Sequence, residues 1–295
     1  MFTLAHLSDP HLGPLPKPRL SELLGKRATG FLNWRHRRHR IHRGDVLQRI
    51  VGDMKAQAPD HIAVTGDLVN ISLAGEYVPA RTWLESLGTP ADVTLVPGNH
   101  DVYAWRTAQH SQLHWGDYMR GDDDGTFPFV RRRGPLALIG LSSAVPTPPF
   151  LATGRLGDAQ LQKLAAVLDR SIGEDCFRVV LVHHPPMSDR SRHFKRLVDG
   201  EGLRDTLARY GAELVIHGHD HVHAVTFVQG PRGPIPVVGV PSASEAAPGE
   251  DDPAGYNLYR IGGRAGVWRC EAFTRGLTRD GDTVGEIRRT VLVGD

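Results

Sequence analysis

The stretch "ELVIHGHDHVHAV", residues 213–225, decides how this chain is read. It opens as a strand, with Leu214, Val215 and Ile216 in one apolar run, and then places His217, His219, His221 and His223 at every second position. Side chains with that period share one face of a strand. Four imidazoles in a row exceed what ordinary packing uses. Gly218 begins a turn that breaks the alternation, so His219 and His221 leave the strand as a pair. His217 stays within it, either as a packed residue or as one that orients a neighbouring side chain, and His223 begins the next strand. An apolar strand that ends in a glycine-marked polar cluster is therefore the unit to look for elsewhere.

The same unit recurs along the chain. "FTLAHLSDPH" (2–11), "HIAVTGDL" (61–68), "VTLVPGNHD" (93–101), "LALIGLSS" (136–143), "FRVVLVHHPP" (177–186) and "IPVVGVPSAS" (235–244) each run from Val, Ile and Leu into a polar turn. Continuous apolar runs of this length suit strands buried on both faces. Helical spacing lies between several of them. Val46, Ile50 and Met54 fall four apart in residues 45–58. Leu161, Leu164, Leu168 and Ile172 share a face in 158–172, with Asp158 expected as the N-cap. Residues 74–87 and 195–210 read similarly. Strand–helix alternation implies an α/β fold. After about residue 225 the helical pattern stops and the remainder reads as strands and hairpins. With no internal repeat and no long linker, residues 1–295 read as one domain.

Bulk properties narrow the function classes. The 295 residues carry a formal net charge of only +2, so no global basic field points to nucleic acid. The two cysteines, Cys176 and Cys270, have no metal or redox spacing, which fits a reducing compartment. The first residues lack the basic and apolar regions of a signal peptide, and no apolar run approaches a membrane span. The expectation is a cytoplasmic protein.

The polar endings carry the chemistry. Asp9 and His11, Asp67, Asn99 with His100 and Asp101, His183 with His184, and His219 with His221 each lie at or just past the C-terminal end of an expected strand. In open α/β sheets that edge is where ligands bind. Imidazole and oxygen donors without cysteine favour borderline divalent ions such as Mn, Fe or Zn. Gly66, Gly98 and Gly218, each preceding a ligand candidate, are expected to permit turns that strain other residues.

The blocks "DPH", "GD", "GNHD", "H" and "GHDH", in this order over residues 9–221, resemble the calcineurin-like metallophosphoesterase superfamily, and most closely its cyclic-nucleotide and glycerophosphodiester phosphodiesterase branch. The resemblance implies a four-layer α/β/β/α sandwich of two mixed sheets, with the late strand-rich segment finishing the second sheet. It implies two divalent ions (Mn, Fe, Zn or a mixture). Asp9, His11 and His221 would hold the first, Asn99, His183 and His219 the second, and Asp67 would bridge them. A hydroxide shared by the ions would attack a small or nucleotide-containing phosphodiester. His100 would be the general acid, with Asp101 orienting it. His184 reads as structural. Trp34, Tyr103 and Trp105 read either as a substrate wall or as packing.

One segment stands outside the pattern. "LLGKRATGFLNWRHRRHRIHRGD" (23–45), within an insert at about 14–44, gathers Arg35, Arg37, Arg38, Arg40 and Arg43 behind Leu23, Leu24, Phe31, Leu32 and Trp34. It is either a solvated basic face or a cap whose Arg37, Arg38 and Arg40 bind substrate phosphate. It also suits an anionic membrane surface or a lipid-bearing substrate. The latter resembles UDP-2,3-diacylglucosamine pyrophosphohydrolase, although the familiar form of that enzyme has Arg where His100 stands. A non-catalytic scaffold on the same fold ranks below both enzymes because no ligand position is lost. A homo-oligomer is compatible with the sequence.

Overall fold

The computed structural model describes residues 1–105, 107–187, 193–246, 252–278 and 283–294. Its first six strands are β1 (Phe2–Leu7), β2 (His61–Val64), β3 (Val93–Leu95), β4 (Phe129–Arg133), β5 (Leu136–Gly140) and β6 (Phe177–Leu181). They are followed by β7 (Leu214–His217), β8 (Ala224–Gly230), β9 (Gly233–Gly239), β10 (Gly255–Gly262), β11 (Arg269–Leu277) and β12 (Val284–Val293). Two six-stranded sheets result, in the orders β12-β11-β10-β1-β2-β3 and β4-β5-β6-β7-β9-β8. Strands β1, β2 and β3 run parallel, as do β5, β6, β7 and β9, while β4, β8 and β10 to β12 pair antiparallel. Both sheets are mixed, as expected.

The layering follows from the period of the strands. In β6, Phe177, Val179 and Leu181 enter a large core shared with Leu4, Leu7 and Tyr259 of the other sheet. The intervening Val180 joins Leu164, Leu168, Leu203 and Leu207 in a second core. Strand β7 divides in the same way, with Leu214 and Ile216 facing one side and Val215 the other. Alternate residues thus bury against the opposite sheet and against the helices Asp158–Arg170 and Gly200–Tyr210. On the far side, Ile50 and Met54 of helix Gly44–Ala56 and Tyr77 and Leu84 of helix Ala74–Leu87 complete the large core. The order is helices, sheet, sheet, helices.

Three expectations are corrected. The late segment finishes both sheets, because β8 and β9 join the second while β10 to β12 extend the first from β1. Residue Gly157, with φ of +81°, caps the helix that Asp158 opens. The helix expected from 195 starts at Gly200.

The insert is helical and tied down at both ends. Helix Lys26–Asn33 passes directly into a wide five-residue π turn, Trp34–Arg38. Leu23, Phe31 and Trp34 pack on Leu15, Ile71, Leu73 and Tyr103. The buried Lys26 ammonium donates to Thr147 Oγ1 at 2.6 Å and to the Leu151 carbonyl at 2.8 Å, and lies 4.3 Å from the centre of the Tyr103 ring. At the other end His42 bridges to Glu245, and the Arg43 and Ala246 amides donate to the Ser244 and Ile41 carbonyls at 2.9 and 2.8 Å. Much of the segment's apolar content is thereby explained by packing.

Gly30 is where the insert meets the body. A Cβ there would stand 2.6 Å from Tyr103 Oη and 2.8 Å from Ile71 Cγ2, whereas one at Gly52 meets nothing within 4 Å. Gly30→Val is expected to lower unfolding free energy by about 1–3 kcal/mol through overpacking. Gly52→Ala, inside helix Gly44–Ala56, should raise it by about 0.5–1 kcal/mol. Urea unfolding of the two variants beside the parent chain measures both.

Candidate metal centre

The C-terminal ends of β1, β2, β3, β6 and β7 meet at one place, and backbone bonds stitch the bends that follow them. The Asp9 amide donates to the Gly66 carbonyl at 2.9 Å, His11 to Asp67 at 3.1 Å, and Gly218 to His183 at 3.2 Å. Five side chains that converge there sit on left-handed backbone: Asp9 (φ +51°), His11 (+39°), Asp67 (+56°), His219 (+72°) and His221 (+57°). Such conformations cost a non-glycine residue on the order of 1 kcal/mol or more and persist where the surroundings over-determine them. This is why His219 and His221 both turn inward rather than alternating along a strand.

The donor atoms are close and dry. His221 Nε2 lies 3.2 Å from Asp9 Oδ1, and His11 Nε2 lies 4.0 Å from both Asp9 Oδ1 and Asp67 Oδ2. His183 Nε2 lies 3.4 Å from Asp67 Oδ2, 3.2 Å from Asn99 Oδ1 and 3.2 Å from His219 Nδ1. Asp9 Oδ1 and His11 Nε2 are buried without an aligned hydrogen bond. Buried polar atoms are nearly always satisfied, so orphans here mark a missing partner of another kind.

Each histidine spends its outer nitrogen on a fixed acceptor. His11 Nδ1–H donates to the Val69 carbonyl at 3.3 Å, His183 Nδ1–H to Thr65 at 2.6 Å, and His219 Nε2–H to Lys195 at 2.9 Å. His221 Nδ1–H donates to the Glu245 carboxylate at 3.1 Å. The inner nitrogens of His11, His183 and His221 thus face the two carboxylates, and that of His219 faces His183, the fixed orientation that metal-binding imidazoles need. Donors at about 2.0–2.2 Å from one ion lie about 3.0–3.6 Å apart, close to most of the spacings above. The residues present fit a pair of divalent ions.

Electrostatics agree. Burial opposes charge on His183, but Asp67, together with Asp9 and the Thr65 carbonyl, outweighs it and pushes the ring up to about 10. Burial likewise opposes charge on His221, and Asp9 and then Glu245 push it up to about 9. Burial and the Arg38 charge hold His11 well below the usual imidazole range, and burial with His184 and His183 does the same for His219. Two buried carboxylates draw positive charge into the cluster.

The neighbouring residues divide. His100 stacks on Tyr103 with ring centres 5.0 Å apart and directs Nδ1–H to the Asn70 carbonyl. Burial and Arg38 lower its pKa to about 3, so the resting ring is neutral. Asp101 does not orient it: Oδ1 accepts from the Leu68 and Val69 amides and Oδ2 from Asp67 and Gly98, at 2.8–3.2 Å. A carboxylate filled by four amides locks the "GD" bend to the "GNHD" bend. His184 is structural as expected, with Nδ1 2.7 Å from Ser143 Oγ and Nε2–H donating to the Ala152 carbonyl at 3.1 Å. His217 is buried, its Nδ1–H on the Gly218 carbonyl, and His223 pairs with Thr274. Trp105 is exposed, so no wall forms from the three aromatics. Sequence reasoning missed Glu245 and His42, which have no motif of their own.

A cavity of about 240 Å³ opens beside Asp67, Asn99, His100, His219 and His221 and is roofed by Arg37, Arg38 and His42 of the insert. Arg40 is exposed and lies outside that lining. The three arginines grouped by sequence therefore separate.

A double-sheet α/β sandwich with this constellation at its strand ends defines a metallophosphoesterase. A family model described as calcineurin-like phosphoesterase matches residues 2–223, and the chain belongs to that family. It is 28% identical over 226 residues to a probable cyclic nucleotide phosphodiesterase of Synechococcus sp. (strain PCC 6301), covering 75% of this chain and 79% of the relative. A second relative with that description, from Synechococcus sp. (strain WH7803), is 27% identical over 250 residues, 82% of each chain. The fold resembles a dimetal phosphatase from Danio rerio (TM-score 0.61, 13% identity, 100% of this chain and 99% of that one). It also resembles a purple acid phosphatase from yellow lupin (TM-score 0.64, 12% identity, 100% and 54%).

Gly98 tests how tightly the centre is built. Its Cβ would fall 2.2 Å from Asp67 Oδ1, 2.6 Å from the Asp67 amide and 2.7 Å from His183 Cε1. Gly98 lacks positive φ, so the constraint is space, while Gly66 (φ +95°) alone of the three flagged glycines needs the turn. Gly98→Ala is expected to keep the far-ultraviolet circular dichroism of the parent and lose metal-binding capacity. Elemental analysis after dialysis against Mn reads this, and full retention would show the bends to be soft.

Proposed function

We propose that this protein is a dinuclear metal-dependent phosphodiesterase acting on a small phosphodiester, of which a cyclic nucleotide is one example. The observation that carries the reading is the set of four imidazoles, each fixed by its outer nitrogen, with the inner nitrogens of His11, His183 and His221 aimed at two buried carboxylates and that of His219 beside His183. The Synechococcus relatives' description supports the diester class. Asp9, His11 and His221 would hold one ion, Asn99, His183 and His219 the other, with Asp67 between them. Nitrogen and oxygen donors suit Mn, Fe, Zn or a mixture. When bound, such ions attract an anionic phosphate and lower the pKa of a shared water. Asn99 ligates without neutralising charge, which keeps the site attractive to an anion.

His100 is proposed as the proton donor to the leaving oxygen. Its Nδ1–H is held by Asn70, so Nε2, which Arg38 touches in the resting state, is the nitrogen for that task. The resting ring is neutral, so it must gain a proton as the anionic substrate arrives and offsets the nearby Arg38 charge. Two buried free cysteines fit a cytoplasmic location, and no helix of the described residues is long and apolar enough to cross a membrane.

A second reading is carried by the outside of the insert. Leu20 and Leu24 are 88% and 76% exposed, and Leu32 of helix Lys26–Asn33 is exposed too. Residues 14–44 hold nine Lys and Arg against one Glu, a formal +8, which with the chain at +2 leaves −6 for the remainder. A basic, leucine-bearing rim suits a lipid-bearing substrate or an anionic membrane surface. Hydrolysis of UDP-diacylglucosamine in preference to cyclic AMP and bis(p-nitrophenyl) phosphate would favour it.

Two measurements test the main reading. At pH 8 the metal-free protein holds protons on His183 and His221, whose pKa values lie above that pH. Coordination needs neutral rings, so loading with Mn should bind two ions per chain and release at least two protons, two from the rings and any further one from the shared water. A stoichiometry that stays at one would sink the dinuclear site. For His100→Ala, both ions should remain while turnover of substrates with poor leaving groups falls about 100-fold or more, with p-nitrophenyl esters affected far less. Equal losses on both substrate classes would assign His100 a positioning role instead.

A further inference from the structure

Arg38 is the arginine of the insert that reaches into the centre. It ends the π turn Trp34–Arg38, a wide turn of a kind often found at functional sites. Its Nη1 lies 3.1 Å from His100 Nδ1 and 3.0 Å from His100 Nε2. Nδ1–H is already held by Asn70, so Nε2 is the nitrogen that can accept from Arg38, and the contact uses one of the guanidinium's five N–H groups. The contact is a resting place over the ring and leaves the guanidinium's donors largely uncommitted. Among the described residues Arg38 has no carboxylate partner, although it is half-buried. Asp67, Asp9 and Glu245 act on its charge only from further off, and a partly desolvated cation without an anion in contact is unfavourable. The geometry around it is that of a roof. Arg38 lines a cavity of about 240 Å³ together with Asp67, Asn99, His219 and His221, with Arg37 in the same lining. The roof is held in place by Lys26 at one end and the His42–Glu245 bridge at the other.

We infer that Arg38 binds a non-bridging oxygen of the substrate's phosphoryl group, delivered by the insert from the side opposite the metal ligands. A guanidinium offers a planar fork of donors that matches two phosphate oxygens. The tethered roof and the small cavity restrict the substrate to a compact phosphoanion whose phosphorus lies between Arg38 and the strand-end ligands. Arg37 adds charge at the same opening, and Arg40 contributes nothing to the bound phosphate. The inference rests on the phosphoesterase reading for its substrate, but its binding component stands apart from turnover.

The test compares Arg38→Ala, Arg38→Lys and Arg40→Ala with the parent chain. Binding of inorganic phosphate is measured by calorimetry on metal-free and Mn-loaded protein, and kcat and KM are measured on bis(p-nitrophenyl) phosphate. Arg38→Ala should weaken phosphate binding and raise KM by about 10–100-fold, the factor expected for hydrogen bonds to a charged group, with kcat kept within about threefold. Arg38→Lys should recover part of the affinity, since it restores the charge without the fork. Arg40→Ala should match the parent. Unchanged phosphate affinity in both Arg38 variants would overturn the inference, as would a fall in kcat at unchanged KM, which would place Arg38 on His100 alone. Equal effects of Arg38→Ala and Arg40→Ala would also overturn it, by reducing the role to general surface charge. A parent chain that binds phosphate but hydrolyses no ester would defeat the phosphoesterase reading and leave the binding comparison intact.

Discussion

Two carboxylates, Asp9 and Asp67, are buried together beneath the ends of two sheets, and the rest of the centre answers to them. Buried negative charge without a counterion is costly, and here it is repeated within one cluster. Cations must come, as protons on His183 and His221 or as metal ions. The protein invests in that outcome through geometry rather than through fixed positive side chains. No lysine or arginine forms an ion pair with either carboxylate among the described residues; the pairs they make are with imidazoles. An imidazole can give up its proton and become a ligand, which a guanidinium cannot do.

That choice sets demands on the backbone. Short imidazole arms must be placed to within tenths of an ångström, so the chain bends sharply after each strand and takes up left-handed conformations at Asp9, His11, Asp67, His219 and His221. Strain of this kind needs fastening. Asp101 fastens two bends with four amides, and the Val69, Thr65 and Lys195 carbonyls fasten three rings from behind. Gly98 and Gly218 allow the bends to approach: a Cβ at Gly218 would stand 1.9 Å from Ser8 Oγ and 2.4 Å from Asp9 Oδ2. The structure therefore reads as a stiff frame around a site of high charge density, which is how preorganised sites are built.

What the sequence made legible follows the same physics. Side chains that must be chemically specific leave motifs, so Asp9, His11, Asp67, Asn99, His183, His219 and His221 could be found as strand endings and do converge. The α/β class was legible from doubly apolar strands alternating with helical spacing, while the two-sheet sandwich came from the resemblance of the strand-end motifs. Partners that act through carbonyls leave no residue-type signal, because any residue has a carbonyl; Thr65, Val69, Asn70 and Lys195 were invisible for that reason. Glu245 is a side-chain partner, but it sits in "PSASEAAP", with no spacing that ties it to His221. Asp101 was misread because adjacency in sequence to His100 suggested contact, whereas the bend turns its carboxylate toward the backbone. The destination of β10 to β12 was hidden too, since antiparallel pairing with β1 depends on a sheet edge formed by residues about 250 positions earlier.

The insert shows why a charge run is not one feature. Its nine basic residues divide by what the helix does with them. Lys26 is spent on Thr147 and Leu151, and Arg27 on the carbonyls of Ile71 and Ser72, so these two hold the roof down. Arg35 and Arg40 face solvent, and Arg38 turns inward. The strand ends cannot supply that inward cation themselves, because a guanidinium planted among the ligands would compete with metal for Asp9 and Asp67. Brought from the opposite wall and rested on His100, it faces the cavity without pairing to either carboxylate. A separate segment, anchored through its own apolar cluster around Tyr103, is a physical solution to placing cationic and cation-binding groups a few ångströms apart without letting them neutralise each other.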